Sequence, residues 1–214
     1  MHYEITPLFS TPLLQANIGP LDPITLAWLK RLECPPSTVA QYGNEEELPE
    51  TERGFNILNH SKLLGLQQLI KRAVDHFAYT TLDVVDDVEF RLTTSWLNKM
   101  DVGTDIELHN HANAVISGVY YPEVGPTSNP ITFKKNRQHL NSFPEHVRPN
   151  TKGNYNQYST GSWTVKPNTG DVIIFPSHLE HEVARSLDKQ DRYSLAFNYF
   201  PKGTIGQNSV KVNL

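Results

Sequence analysis

The segment DIELHNHA carries two histidines one residue apart, His109 and His111. On a strand, alternate side chains share a face, so both imidazoles would project together, one pleat apart, as a chelating pair. Imidazole nitrogen suits Fe, Zn, Cu and Ni. The apolar run GDVIIFP stops at Pro176, and His178 and His181 follow it as competing sources of a third nitrogen. Eleven residues past His181 comes Arg192, with Ser194 on the same strand face. The expected site is one metal ion held by His109, His111 and His181, with Arg192 placed beside it. Glu107 shares the face of His109 and His111 and is a candidate fourth ligand or hydrogen-bond acceptor.

Composition narrows the chemistry. Cys34 is the only cysteine, which excludes an internal disulfide and a cysteine-based zinc site, so nitrogen and oxygen must hold the metal. The net charge of −4 argues against nucleic acid as the main partner. No apolar run approaches the ~20 residues that span a bilayer, and the first residues lack a signal peptide's basic flank and apolar stretch, so no membrane partner and a reduced, cytoplasmic setting are expected. Phosphate loops, GxSxG elbows and paired catalytic carboxylates are absent from the sequence.

The elements that must position these residues come in two textures within a single expected domain, 1–214. Residues 1–87 read as extended segments and supporting helices. Asp22-Pro23 opens one helix, as N-cap and first helical residue. Ser61 is expected to cap a second, in which Leu63, Leu66, Ile70, Val74 and Phe77 form an apolar stripe. Residues 34–56 read as a surface loop. From residue 88 onward, eight short segments rich in β-branched and aromatic residues are separated by Gly, Pro, Asn or Asp. The pattern predicts a mainly β fold with supporting helices, a jelly roll or antiparallel barrel, over 88–214. Residues 134–160 form a long polar, locally basic stretch, a candidate lid.

Taken in order, the H-x-H pair, SGVYY, the FPS stretch with its following His181, and the R-x-S…FN run resemble the iron(II)- and 2-oxoglutarate-dependent oxygenases. The flanking text, including PLFSTPLL, is similar to a branch of small proteins known from marine bacteria and phages. The resemblance implies a double-stranded β-helix, Fe(II) with 2-oxoglutarate and O2, and hydroxylation of an unactivated C–H bond of a small molecule or protein side chain, releasing succinate and CO2. It makes His109, His111 and His181 the metal ligands and Arg192 with Ser194 the anchor of the distal carboxylate. Tyr121 matches a strand tyrosine that hydrogen-bonds the cosubstrate, and Asn98 and Asn198 are further candidates lining the cavity. His111 departs from the family, which has a carboxylate there. Three neutral imidazoles leave a bound dication at +2, which dianionic 2-oxoglutarate would neutralise. Two other readings remain beside this one: a cupin-type metalloenzyme working without 2-oxoglutarate, and a barrel that binds a ligand without chemistry.

Overall fold

In a computed structural model, which describes residues 1–7, 10–32, 56–135, 157–158, 160–187, 190–206 and 210–213, strand β9 (Arg192–Lys202) separates two interiors. Tyr193, Leu195, Phe197 and Tyr199 enter one apolar core, while Arg192, Ser194, Ala196 and Asn198 line a cavity on the other face. All eight are buried, as expected for a strand covered on both sides. β9 lies within a five-stranded antiparallel sheet ordered β1-β7-β4-β9-β2, formed with β1 (Leu14–Asn17), β2 (Glu89–Met100), β4 (Ile116–Glu123) and β7 (Asp171–Pro176). A four-stranded sheet ordered β3-β8-β5-β6 comprises β3 (Ile106–His109), β5 (Ile131–Lys134), β6 (Ser162–Val165) and β8 (His181–Val183). Between the sheets pack Met100, Tyr121, Ile173 and Phe175 from the first and Ile131, Phe133, Val165 and Val183 from the second. All eight expected segments are strands, and the two sheets form the double-stranded β-helix. A short hairpin, β10 (Thr204–Ile205) with β11 (Val212–Asn213), closes the described chain.

The outer face of the larger sheet is covered by helices α1 (Pro23–Arg31) and α2 (Leu64–Asp75). Asp22 caps α1 as expected, its Oδ1 accepting from the Ile24 and Thr25 N–H groups at 3.0 Å each. Ser61 does not cap the second helix. A tight turn over Ser61–Leu63 leads into it, with His60 Nδ1 accepting from the Lys62 N–H at 3.2 Å at the start of that turn, and α2 itself begins after Leu63 without a side-chain cap. The His60 ring also stacks on Trp28, a packing contact that a serine cannot supply. α2 then widens into a π-helical turn over His76–Thr81. The N-terminal segment is more than support, because β1 pairs antiparallel with β7 and extends the core sheet across the boundary expected at residue 88. The expected loops at 34–56 and 134–160 lie almost wholly outside the described residues.

Two local features decide which side chains reach the cavity. The register of β2 on β9 shifts so that Leu92 opposes Tyr199 while Thr94 opposes Asn198, leaving Thr93 as an extra residue. Such a bulge reverses the alternation. Phe90 upstream faces the helices, and Thr94, Trp96, Asn98 and Met100 downstream face the cavity. In β4, a Cβ at Gly118 would fall 2.4 Å from the Phe197 ring and 2.8 Å from the Ile173 carbonyl oxygen. Glycine there leaves the space that the Phe197 ring occupies.

Candidate metal centre and anion pocket

His109 ends β3, and His181 opens β8 directly opposite it in the ladder. Their rings lie 4.3 Å apart. Each ring is set in the same way: His109 Nδ1 bonds the Glu107 carbonyl at 2.7 Å, and His181 Nδ1 bonds the Leu179 carbonyl at 2.9 Å. A carbonyl only accepts, so both Nδ1 atoms carry the proton and both Nε2 atoms present a lone pair. This carbonyl support is typical of histidines that ligate metals.

His111 arrives differently from the expectation. It lies beyond the end of β3, so strand alternation does not aim it. A turn does so, with the His111 N–H donating to the Ser177 carbonyl at 3.0 Å and the Ala114 N–H to the His111 carbonyl at 3.3 Å. The indole of Trp96 stacks on the His111 ring at 5.6 Å. The result is the convergence the sequence predicts: one nitrogen from each of the three histidines, all within 4.8 Å of one another. His111 Nε2 is 3.4 Å from His181 Nε2. Metal–nitrogen bonds of ~2.1 Å place cis ligand nitrogens about 3.0–3.4 Å apart, so the His111–His181 pair already stands at ligand spacing, with the His109 nitrogen close by. Burial holds His111 down at about 4 and His181 down at about 3, with repulsion from the neighbouring imidazoles adding to it. Both are therefore neutral, ligand-ready bases at pH 7. Neither Glu107, which is exposed at the cavity wall, nor His178 belongs to the cluster.

Arg192 occupies the other end of the same cavity, which measures about 510 Å³. It is 3% exposed, and no carboxylate pairs with it among the described residues. Its Nη1 donates to the Met100 thioether at 2.9 Å, its Cζ lies 5.1 Å from the centre of the Tyr121 ring, and its Nε has no hydrogen-bond partner. Burial lowers its pKa, yet a guanidinium stays charged in a protein. The Tyr121 hydroxyl is also buried without a hydrogen-bond partner, and burial raises its pKa, so it remains a protonated donor. A buried cation and two orphaned donors call for an anionic acceptor. Ser194 and Asn98 face each other across the β2–β9 ladder on the cavity side. Asn198 lies six residues from Arg192 on the same strand, ~20 Å of chain, at the histidine end. Its amide is already engaged with Ser117 and Thr94.

Sequence reading missed Trp96, Met100 and Thr94, although alternation counted from Asn98, downstream of the Thr93 bulge, could have found them. It had no signal for the Ser117–Ser177 contact, which joins β4 to the turn after β7.

Residues 94–198 match the family model described as "Putative 2OG-Fe(II) oxygenase". No curated protein matches the sequence significantly. Among solved structures, a prolyl-4-hydroxylase from Pseudomonas putida superposes with a TM-score of 0.50 at 13% identity, over 88% of this chain and 93% of that one. SnoN, a non-heme alpha-ketoglutarate-dependent epimerase from nogalamycin biosynthesis, gives 0.56 at 14% identity, over 89% and 76%. HygX from Streptomyces hygroscopicus, solved with nickel, 2-oxoglutarate and hygromycin B bound, gives 0.52 at 16% identity, over 89% and 83%. The chain spans 58% of the length of a 2OG-Fe(II) oxygenase-family oxidoreductase from Burkholderia pseudomallei. At these identities the structural likeness is one of fold.

Proposed function

We propose that this chain, a member of the 2OG-Fe(II) oxygenase family through residues 94–198, hydroxylates an unactivated C–H bond with Fe(II) held by His109, His111 and His181. The observation that carries the reading is the unpaired, buried Arg192 in the same cavity as three converging imidazoles. When bound, ferrous iron, 2-oxoglutarate and O2 supply the oxidising power for such a reaction and leave succinate and CO2.

The chain's own residues do the binding and orienting. His109 and His181 would offer nitrogens already oriented by backbone carbonyls, and His111 would supply the third. Arg192 takes the distal carboxylate through charge-assisted hydrogen bonds, with Ser194 beside it and the Tyr121 hydroxyl donating its free proton. Ala196, which opposes the Trp96 stacked on His111, lies four residues from Arg192, ~13 Å along the strand. An arginine side chain and a five-carbon diacid, itself about two extended residues or ~7 Å long, together cover that span. Asn98, facing Ser194, is suited to the middle of the diacid; Asn198 belongs to the metal end. Val119, Ile131 and Val183 line the same cavity with apolar surface that limits water around the metal. The substrate is a small molecule or a side chain that enters this cavity beside the diacid.

A cupin-type site without 2-oxoglutarate, or a barrel that only binds a ligand, leaves the cost of burying Arg192 without a return. The test is anaerobic addition of Fe(II) and 2-oxoglutarate, read by the visible metal-to-ligand charge-transfer band, followed by succinate formation on admitting O2. Failure of the two to bind together at millimolar concentration overturns the reading.

A further inference from the structure

His109 and His181 have their rings fixed by carbonyls of their own strand segments, but His111 has no such bond and sits on a turn beyond the strand. Backbone bonds hang that turn from two points. His111 N–H reaches the Ser177 carbonyl, Ser177 N–H reaches the Val115 carbonyl, and Val115 N–H reaches the Tyr199 carbonyl, each at 3.0 Å. Between these two points runs a line of buried side chains. Ser177 Oγ is 2.7 Å from Ser117 Oγ, Ser117 Oγ donates to Asn198 Oδ1 at 2.7 Å, and Asn198 Nδ2 donates to Thr94 Oγ1 at 3.0 Å. Ser117, Ser177 and Asn198 are almost inaccessible to solvent. Proton counting gives the line a direction. The single hydroxyl proton of Ser117 goes to Asn198, so Ser177 must donate to Ser117. Every link is made, and each runs from the His111 anchor toward the cavity wall at Thr94.

We propose that Ser177, Ser117 and Asn198 are positioning residues for His111: they bind the two anchor points of its turn to each other and thereby set the affinity of the third imidazole for the metal. The inference rests on His111 being a ligand. Buried, fully satisfied polar lines are costly to interrupt and hold one geometry, and a turn without intrinsic ring support is where such a line is needed.

The test is titration of the metal-free protein with Co(II), followed by its visible absorption, in wild type, Ser117→Ala, Ser177→Ala, His111→Ala and the Ser117→Ala/His111→Ala double variant. Ser117→Ala is expected to weaken Co(II) binding by roughly 10- to 100-fold, the range for groups that orient metal ligands, and to shift the absorption toward that of His111→Ala. In the His111→Ala background the same change is expected to cost no more than about 2-fold, the limit of additivity for independent sites. An equal loss with and without His111 overturns the proposal, since a merely structural role acts on both. Unchanged Co(II) binding in Ser117→Ala overturns it too. If His111→Ala itself binds Co(II) as wild type does, the underlying assignment of His111 fails, and that result is distinct from the other two. Ser177→Ala leaves Asn198 hydrogen-bonded and repeats the test with a smaller loss in the same direction, should Ser117→Ala not fold.

Discussion

Replacing Arg192 with methionine should make the ligand-free protein more stable while removing its affinity for 2-oxoglutarate. Burying an ion costs several kcal/mol after relaxation. Arg192 is 3% exposed and has no counter-charge among the described residues. Its stacking on Tyr121 returns ~2 kcal/mol in a desolvated setting, and the bond to the Met100 sulfur is a weak one. An unmet cost of about 1–3 kcal/mol is left. A methionine of similar length carries no charge and should recover it, raising the urea midpoint without changing the slope. The cosubstrate, in contrast, loses a charged hydrogen bond worth ~1.5–3 kcal/mol or more, about 10- to 150-fold in affinity. At a concentration 100 times the wild-type Kd, 2-oxoglutarate with Mn(II) should stabilise the wild type by ~2.7 kcal/mol. For a 100-fold weaker variant the same concentration gives only ~0.4 kcal/mol. Paired urea unfolding curves with and without ligand measure both effects. A variant that is less stable than wild type without ligand would refute the unpaired-cation argument, and one that keeps the full ligand shift would refute the anchor.

The histidine site should also make stability depend on pH. His111 and His181 have folded pKa values below the unfolded value, at about 4 and about 3, so their contribution is present above ~6.5 and is lost as pH falls toward those values. At pH 5 each should cost about 2 kcal/mol, read as a drop in urea-derived stability of the metal-free protein between pH 7.5 and 5. His111→Asp returns a carboxylate to the site. It should tighten Mn(II) binding in the absence of 2-oxoglutarate and reduce the gain that 2-oxoglutarate gives, both measured by calorimetric titration. Gly118→Ala forces a methyl group against the Phe197 ring and the Ile173 carbonyl. It should cost about 1–3 kcal/mol or more in thermal or urea unfolding.

What could be read in the sequence follows from how locally each feature is encoded. The eight strands are period-two patterns bounded by turn residues, and the Asp22-Pro23 helix start is a hydrogen bond within three residues. Arg192 and Ser194 lie on a continuous strand, so alternation puts them on one face without further information. His111 meets the other two imidazoles by a route that alternation does not describe: alternation fails at the end of β3, and a turn pinned to Ser177 does the aiming. Ser177 is distant in sequence and adjacent only through the β4–β7 ladder. The bulge at Thr93 is a harder case, because VEFRLTTSWLNKM reads as one strand. Strict alternation from Phe90, which faces the helices, would turn Trp96, Asn98 and Met100 to the helix side as well, away from the histidine cluster. The extra residue reverses that assignment, and the Thr93 hydroxyl donates to the Asn198 carbonyl at 3.2 Å beside it. Thus one inserted residue in β2 gives Trp96 its place on His111 and Met100 its place on Arg192. Both ends of the cavity, the histidine cluster and the Arg192 pocket, depend on the same local irregularity.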